Sequence, residues 1–399
     1  MSAGASRSRS RVRLWLTAGG SVALIVAALA VTSVGGRYRT EGSAPRPAGS
    51  PSDAAAIPPS SAASRAPSPP QRPTNVYAGM LNAALAPQVA HIPVRVYVPN
   101  NYSNDVSVID PKTFRVLYTF PTGTDPQHIS PSWDLRDLYV GDVYSNSLTE
   151  VDPKTGRPFR TISVPDPYNL YFTPDGKHAI DVAEGHDTLY FYDPHTWKLQ
   201  GSLAIPFRGP DHLDFSADGS YFLISTEYAG TVVKVDVAKR RIVGSAALGG
   251  STVDVKLSPD GKVFYVANQV REGVSVIDPD TMKEIRFIPT GNGAHGFAIS
   301  RNTKDLYVSD RLAGEISVIS FATERVVRTW HVGASPDMLQ VSADGKQLWV
   351  SNRFDASVSV IDTRTGRVLH TIPVGVDPHG LTLFPQPGNF SIGHNGVYR

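Results

Sequence analysis

The pattern of apolar and polar positions repeats along most of this chain. One copy reads Tyr265-Val266-Ala267-Asn268, then a short polar gap, then Val274-Ser275-Val276-Ile277-Asp278. Short apolar runs with polar residues alternating between them are typical of β-strands. The aspartate that ends the copy recurs every 41 to 43 residues, and a period of this length predicts a repeat architecture. The equivalent positions are Asp110, Asp152, Asp193, Asp236, Asp278, Ser320 and Asp362.

Each copy contains four short strand signals. Asp260-Gly261 separates the first two strands, and Asp-Gly between apolar runs favours a tight hairpin. An Asp-Pro-x-Thr corner at Asp278 separates the last two, because Asp bonds the backbone ahead of it and Pro presets φ at the next turn position. In this copy the predicted strands are Val253–Ser258, Val263–Ala267, Val274–Ile277 and Glu284–Ile288.

Seven such copies predict an all-β fold, a seven-bladed β-propeller whose four-stranded blades surround a central channel. The first copy begins at its second strand, near Val94, and the last is followed by an extra inner strand over Pro378–Phe384. We expect this strand to join the three N-terminal strands in one blade and so close the ring. The alternative, an open solenoid, needs polar end caps, and none is visible in the sequence.

Three copies carry a closely related tetrapeptide before a Val-Ser-Val-Ile-Asp-like strand. They are Tyr265-Val266-Ala267-Asn268, Tyr307-Val308-Ser309-Asp310 and Trp349-Val350-Ser351-Asn352. This pattern resembles the YVTN family of β-propeller repeats, over about Val94 to Phe384. The resemblance implies a seven-bladed propeller of an exported bacterial protein. Related propellers are surface proteins, non-catalytic subunits or enzymes, so the resemblance implies a fold and no particular function.

The N-terminal region predicts a membrane helix. Residues 14–36 carry no charge, whereas residues 1–13 contain four arginines. A helix of this length spans about 35 Å, enough for a bilayer core of about 30 Å. The arginines favour a signal anchor with residues 1–13 in the cytoplasm and the propeller outside. The alternative is a signal peptide cleaved after Ala30, which would release a secreted protein.

Residues 37–75 are rich in Pro, Ala and Ser, which predicts a disordered linker ahead of a propeller domain over residues 76–399. The chain has no cysteine, which excludes disulfides, iron–sulfur clusters and c-type haem.

Residues 1–75 hold 9 of the 38 basic and 2 of the 36 acidic residues, which leaves 29 basic and 34 acidic residues in the rest of the chain. A mildly acidic domain is not expected to bind nucleic acid. The expected partners are the membrane and a protein or small molecule.

Candidate site residues gather at one mouth of the predicted channel. In a propeller, the starts of the inner strands and the loops after the second strands lie on the same face, and polar groups that converge there predict a ligand site. Four of the eleven histidines occupy one structural position: His128, His212, His295 and His379. The other candidates at strand starts are Asn169, Asp211, Asp254 and Asp337, and those in the loops are Asp142, Glu184, Glu227, Asp310, Arg311 and Arg353.

The four histidines are the first candidates for binding a divalent metal ion, because imidazole is the commonest ligand of zinc and copper. Their alternative role is to line a wet channel without binding anything. Strand alternation argues against a ring of four. His128 and His212 precede an apolar core position by one residue, whereas His295 and His379 precede one by two. The two pairs are therefore predicted to face opposite sides.

Two functional hypotheses follow. The first is an exported, membrane-anchored propeller that binds a ligand or partner at the cell envelope, since no recognisable catalytic motif is present. The alternative is a metal-dependent hydrolase or lyase with its site at the mouth, which would resemble propeller lactonases and antibiotic-inactivating lyases. A copper redox enzyme is less favoured, because too few histidines are predicted to share one side.

Overall fold

The computed structural model describes residues 75–81 and 84–399, and it contains seven four-stranded antiparallel sheets arranged in a ring. The prediction of an all-β, seven-bladed propeller is confirmed. Residues 1–74, which include the predicted helix over 14–36 and nearly all of the linker, lie outside the described part of the chain. Within the described part, no helix is long and apolar enough to cross a membrane.

The two inner strands of each blade form the core, because neighbouring blades cover both faces of these strands. The innermost strands, in the order of the blades, are Thr382–Phe384, Pro126–Pro131, Asn169–Phe172, Pro210–Phe215, Thr252–Leu257, Ala294–Ile299 and Pro336–Val341. The second strands are Arg95–Asn100, Leu138–Asp142, Ala179–Ala183, Tyr221–Thr226, Phe264–Asn268, Asp305–Asp310 and Gln347–Asn352.

The outermost strand of each blade meets solvent, whereas the third strands are buried along most of their length. The outermost strands Arg115–Pro121 and Arg241–Ala247 alternate between exposed and partly buried residues, as the strand period of two requires. The third strands are Asp105–Asp110, Ser147–Asp152, Thr188–Tyr192, Thr231–Asp236, Gly273–Asp278, Glu315–Ser320 and Ser357–Asp362. The outermost strands are Arg115–Pro121, Arg157–Ser163, Leu199–Ala204, Arg241–Ala247, Lys283–Pro289, Arg325–His331 and Val368–Pro373.

The repeated aspartates stabilise turns, as predicted. The Asp278 carboxylate accepts hydrogen bonds from the Asp280 backbone N–H at 2.9 Å and the Thr281 hydroxyl at 2.9 Å. The hairpin at Asp260 is held in a similar way, since the Ser258 hydroxyl donates to its carboxylate at 2.7 Å. Both aspartates therefore have local partners that account for their presence.

The ring closes through the C-terminal strand, as predicted. Thr382–Phe384 pairs with Arg95–Tyr97 and completes the first blade. The strand is shorter than the predicted Pro378–Phe384. The Gly380 N–H donates to Gln127 O of the next blade at 3.0 Å, which takes this part of the chain out of the regular ladder.

The face opposite the predicted mouth is covered by both ends of the described chain. Next to the helix Ala78–Leu81, the Tyr77 hydroxyl donates to Leu257 O at 2.9 Å, at the end of an inner strand. The C-terminal Arg399 forms a buried ion pair with Asp214 at 2.5 Å and donates to Phe215 O at 2.8 Å. The N-terminal segment and the C-terminal tail, residues 385–399, therefore close this end of the channel.

Replacing Leu383 in the closing strand by Ala should lower the free energy of unfolding by about 2–5 kcal/mol, because the side chain is buried and a cavity would replace it. The matched control is Leu117→Ala on an exposed outermost strand, with an expected change within about 0.5 kcal/mol. Urea unfolding followed by tryptophan fluorescence measures both. Equal effects of the two substitutions would contradict closure through this strand.

Candidate functional site

The inner strands begin with an extra residue that changes the direction of the side chains at the mouth. In the second blade Pro126 pairs with Asp142 and Ile129 pairs with Val140, so Gln127 and His128 together face a single residue. The same β-bulge occurs where the inner strands of four further blades begin, between Pro210 and Leu213, Thr252 and Val255, Ala294 and Phe297, and Pro336 and Leu339. A bulge interrupts the regular alternation of side chains.

The expectation that the two pairs of histidines face opposite sides is therefore wrong. The rings of His128 and His379 lie 4.5 Å apart between centroids, and those of His295 and His379 lie 5.9 Å apart. His212 joins them, with its ring centroid 5.1 Å from that of His128. All four predicted histidines thus reach the same buried region of the channel.

A fifth histidine enters this cluster from the C-terminal tail. The ring of His394 lies 4.6 Å from that of His212 and 5.3 Å from that of His128. The tail is held there by backbone hydrogen bonds, including one of 3.0 Å from the His394 N–H to Leu170 O. The tail has no counterpart in the repeats, so the sequence pattern could not show which face it covers.

His128, His212 and His394 offer ring nitrogens that all lie within 4.8 Å of one another. His128 Nδ1 lies 3.3 Å from Asn395 Oδ1 and donates to it, which leaves the lone pair on Nε2, an atom without a hydrogen-bond partner. His212 Nδ1 lies 2.7 Å from Asp211 Oδ1, and its Nε2 also has no partner. A ring whose outer nitrogen contacts a protein oxygen is oriented as metal-binding histidines usually are.

The third ring of this group makes different contacts. Asn169 Nδ2 donates to His394 Nδ1 at 3.0 Å, and His394 Nε2 lies 3.8 Å from Asp254 Oδ2. Tyr171 stacks on the ring, with a centroid distance of 5.6 Å. The predicted candidates Asn169 and Asp254 therefore position His394, although the sequence did not link them to it.

A second group, His295, Asp337 and His379, is occupied by the protein's own cations. The Arg311 guanidinium donates to both His295 Nε2 and Asp337 Oδ1, and the Arg353 guanidinium donates to His379 Nδ1. These ring nitrogens must be unprotonated to accept such bonds. This half of the mouth is therefore a buried ion-pair network and leaves little room for a metal ion.

Burial keeps most of these rings neutral. It lowers the pKa of His295 to about 4, helped by Arg311, and lowers the pKa of His394 to about 3. The pKa values of His128 and His379 also lie well below the ordinary value, mainly because of burial. His212 differs: burial disfavours its charged form, but the adjacent Asp211 carboxylate outweighs this and raises the pKa. At pH 7 the four neutral imidazoles keep a lone pair available, whereas a metal ion that binds His212 competes with a proton.

The opposite half of the mouth carries three carboxylates, those of Glu184, Asp211 and Glu227, with oxygens within 4.8 Å of one another. Burial and the Asp211 charge raise the pKa of Glu184 to about 8 and that of Glu227 to about 7. The mouth is therefore divided into an acidic half and a half that contains two guanidinium groups.

Two of the predicted candidates serve their own blades instead. Asp142 Oδ2 accepts from the Thr149 hydroxyl at 2.6 Å, and Asp310 Oδ2 accepts from the Ser317 hydroxyl at 2.7 Å. Both carboxylates are buried at the end of a second strand, where they bond the neighbouring third strand. The structure does not bring them into the histidine cluster.

Two features of the mouth are not among the candidates predicted from the sequence: the aromatic side chain of Tyr168 and a ring of exposed apolar residues around the mouth. The ring of Tyr168, at an inner-strand start, lies 5.2 Å from that of His128. Around the mouth, six blades present an exposed apolar residue two positions after the second strand, a regularity that aligned repeats could have revealed. These residues are Tyr102, Tyr144, Tyr228, Val270, Leu312 and Phe354.

The structure defines a closed seven-bladed propeller with a histidine-lined channel. A family model described as a YNCE-like beta-propeller matches residues 73–387, so the chain belongs to the YNCE-like β-propeller family. No curated protein sequence matches the chain.

Solved structures share the fold at low sequence identity. Hydrazine synthase from Kuenenia stuttgartiensis is 20% identical with a TM-score of 0.61, over 69% of this chain and 97% of that one. Dihydro-heme d1 dehydrogenase NirN in complex with DHE is 18% identical with a TM-score of 0.57, over 72% and 74%. A functionally unknown protein from Desulfotomaculum acetoxidans DSM 771 is 17% identical with a TM-score of 0.62, over 72% and 98%. These similarities concern the fold alone.

Replacing His295 by Gln should flatten the dependence of stability on pH. The unfolded chain takes up a proton on His295 near pH 6.5, but the folded chain does so only near pH 4. The folded state therefore loses stability as the pH falls below 6.5, by about 2–3 kcal/mol at pH 4.5 from this residue. Urea midpoints at pH 7.5 and 4.5 measure the difference between the two proteins. Parallel losses in both would contradict a neutral, buried His295.

Proposed function

We propose that this chain is a membrane-anchored propeller of the cell envelope that binds a transition-metal ion in its channel. The ligands are His128, His212 and His394. The observation that carries the proposal is the convergence of three buried imidazoles, two of which have an Nε2 atom without a hydrogen-bond partner. Buried polar atoms without partners are rare in folded proteins, and a bound ion would satisfy them.

The donor set favours zinc or copper. Imidazole nitrogens suit these ions, whereas magnesium and calcium prefer oxygen ligands. Asn395 and Asp211 contact the outer nitrogens of two of the rings, and such contacts orient histidines towards a metal. Binding through His394 Nε2 requires a proton shift to Nδ1, because Asn169 now donates to that atom.

Membrane anchorage is proposed from residues 14–36 and the arginines that precede them. The described chain begins on the face away from the mouth, where the Val76 N–H donates to Pro259 O at 2.8 Å.

Metal affinity should depend on the three histidines. In the full-length chain, His128→Ala, His212→Ala and His394→Ala should each weaken zinc or copper binding at least tenfold, because each removes one of three ligands. Competition with a chromogenic chelator measures the affinity. The matched control is His195→Ala, an exposed histidine in an outer loop, which should bind as the unchanged protein does. Undiminished affinity in the three variants would refute the site.

A metal-dependent hydrolase or lyase is the second candidate function. It is favoured by Glu227, whose pKa near 7 suits a general acid or base at neutral pH. Hydrazine synthase and dihydro-heme d1 dehydrogenase are enzymes by name, so propellers of this fold do occur in enzymes.

If the chain is such an enzyme, the zinc- or copper-loaded protein should hydrolyse or cleave one or more members of a panel of lactones and esters. Glu227→Gln should slow the reaction by about 10²- to 10⁴-fold without loss of the channel metal. Product formation measured by chromatography is the test, and Asp344→Asn, in an exposed hairpin turn, is the control. Turnover unaffected by Glu227→Gln would argue against this function.

A further inference from the structure

The acidic half of the mouth is built from two neighbouring blades. Glu184 follows the second strand of the third blade, Ala179–Ala183, and Glu227 follows that of the fourth, Tyr221–Thr226. Asp211 lies in the bulge at the start of the fourth blade's inner strand. One oxygen from each carboxylate lies within 4.8 Å of the other two. Three carboxyl groups thus converge where the two blades meet.

The buried state of Asp211 is a second, independent observation. Its side chain is 0% exposed, and its Oδ2 has no hydrogen-bond partner. Its Oδ1 lies 2.7 Å from His212 Nδ1, without the alignment of a hydrogen bond. A buried carboxylate oxygen without a partner is costly, since its hydration is lost and nothing replaces it. Asp211 also has an oxygen within 4.8 Å of an oxygen of Glu184 and of Glu227.

The basic residue in contact with this group is a histidine, because His212 Nδ1 lies 2.7 Å from Asp211 Oδ1. Within the described residues, no lysine or arginine forms an ion pair with any of the three carboxylates, although Arg311 and Arg353 pair with carboxylates across the mouth. The hydrogen-bond donors to Glu227 are neutral: Gln269 Nε2, at 2.9 Å, and the Ser251 hydroxyl, at 3.4 Å. Neutral donors satisfy an oxygen but do not offset its charge. The two halves of the mouth therefore differ in that guanidinium groups form ion pairs with the carboxylates of only one of them.

We propose that Glu184, Asp211 and Glu227 bind a hard divalent cation, of the class of Ca²⁺, Mn²⁺ or Mg²⁺, at a site separate from the histidines. Carboxylate oxygens are the ligands that these ions prefer. The side chains of Glu184 and Glu227 are partly exposed, so water or an anionic ligand can complete the coordination. Asp211 also contacts His212, which places the cation site next to the proposed transition-metal site.

The alternative is a set of carboxylates that share protons. Burial and mutual repulsion raise the pKa values of Glu184 and Glu227, so protons could neutralise the group without a cation. A bound cation would keep both glutamates ionised. The cation site therefore excludes the acid–base role of Glu227.

Mn²⁺ is the probe, because free Mn²⁺ is measured directly by electron paramagnetic resonance. The full-length chain at pH 7.5 should remove about one Mn²⁺ per chain from solution. Glu184→Gln and Glu227→Gln should weaken this binding at least tenfold, and excess Ca²⁺ should displace the ion. Asp344→Asn removes an exposed carboxylate elsewhere and should bind Mn²⁺ as the unchanged chain does.

His394→Ala separates this proposal from the transition-metal site. The variant should lose affinity for zinc or copper and should still bind Mn²⁺, because the Mn²⁺ ligands are the three carboxylates and His394 is not one of them. Absence of Mn²⁺ binding, or binding unchanged in both glutamine variants, would overturn the cation site and leave the histidine site standing. Where a glutamine variant unfolds, the melting temperature of the unchanged chain is measured instead: Mn²⁺ that binds the folded state should raise this temperature, and no rise would also overturn the proposal.

Discussion

The β-bulge at the start of the inner strands is the constraint on which the channel depends. A propeller brings the starts of seven inner strands to one mouth, where regular alternation would turn half of the residues into the cores between blades. The extra residue between Pro126 and Ile129, and its equivalents in other blades, keeps polar side chains at the mouth. The rings of His128 and His379 lie 4.5 Å apart there.

Gathering so many polar side chains in a dry channel is costly unless each finds a partner. The mouth meets this requirement in different ways around its circumference. Near Asp337, guanidinium groups of Arg311 and Arg353 neutralise the carboxylate and hold two histidines neutral. The Nε2 atoms of His128 and His212 have no hydrogen-bond partner, and three carboxyl groups converge at Asp211 without a guanidinium group among them. The last two regions are the places where a bound ion would add what the chain lacks.

Much of this structure could be predicted from the sequence, because it depends on short-range patterns. The period of about 42 residues, the turns at Asp278 and the extra strand before Phe384 predict the number of blades, the hairpins and the closure. The bulges could not be predicted in this way, since they depend on how an inner strand pairs with its neighbour. The position of His394 depends on tail contacts such as Arg399 with Asp214, and no local pattern encodes them. Likewise, the sequence identified Arg311 and Asp337 as mouth residues but did not show that they neutralise each other.

The most direct test of the account is an anomalous diffraction experiment on crystals of the zinc-loaded protein, with data on both sides of the zinc absorption edge. The account predicts one strong peak bounded by His128, His212 and His394, at about 2.0–2.1 Å from a nitrogen of each ring. A peak at His295 and His379, or none within the channel, would contradict it.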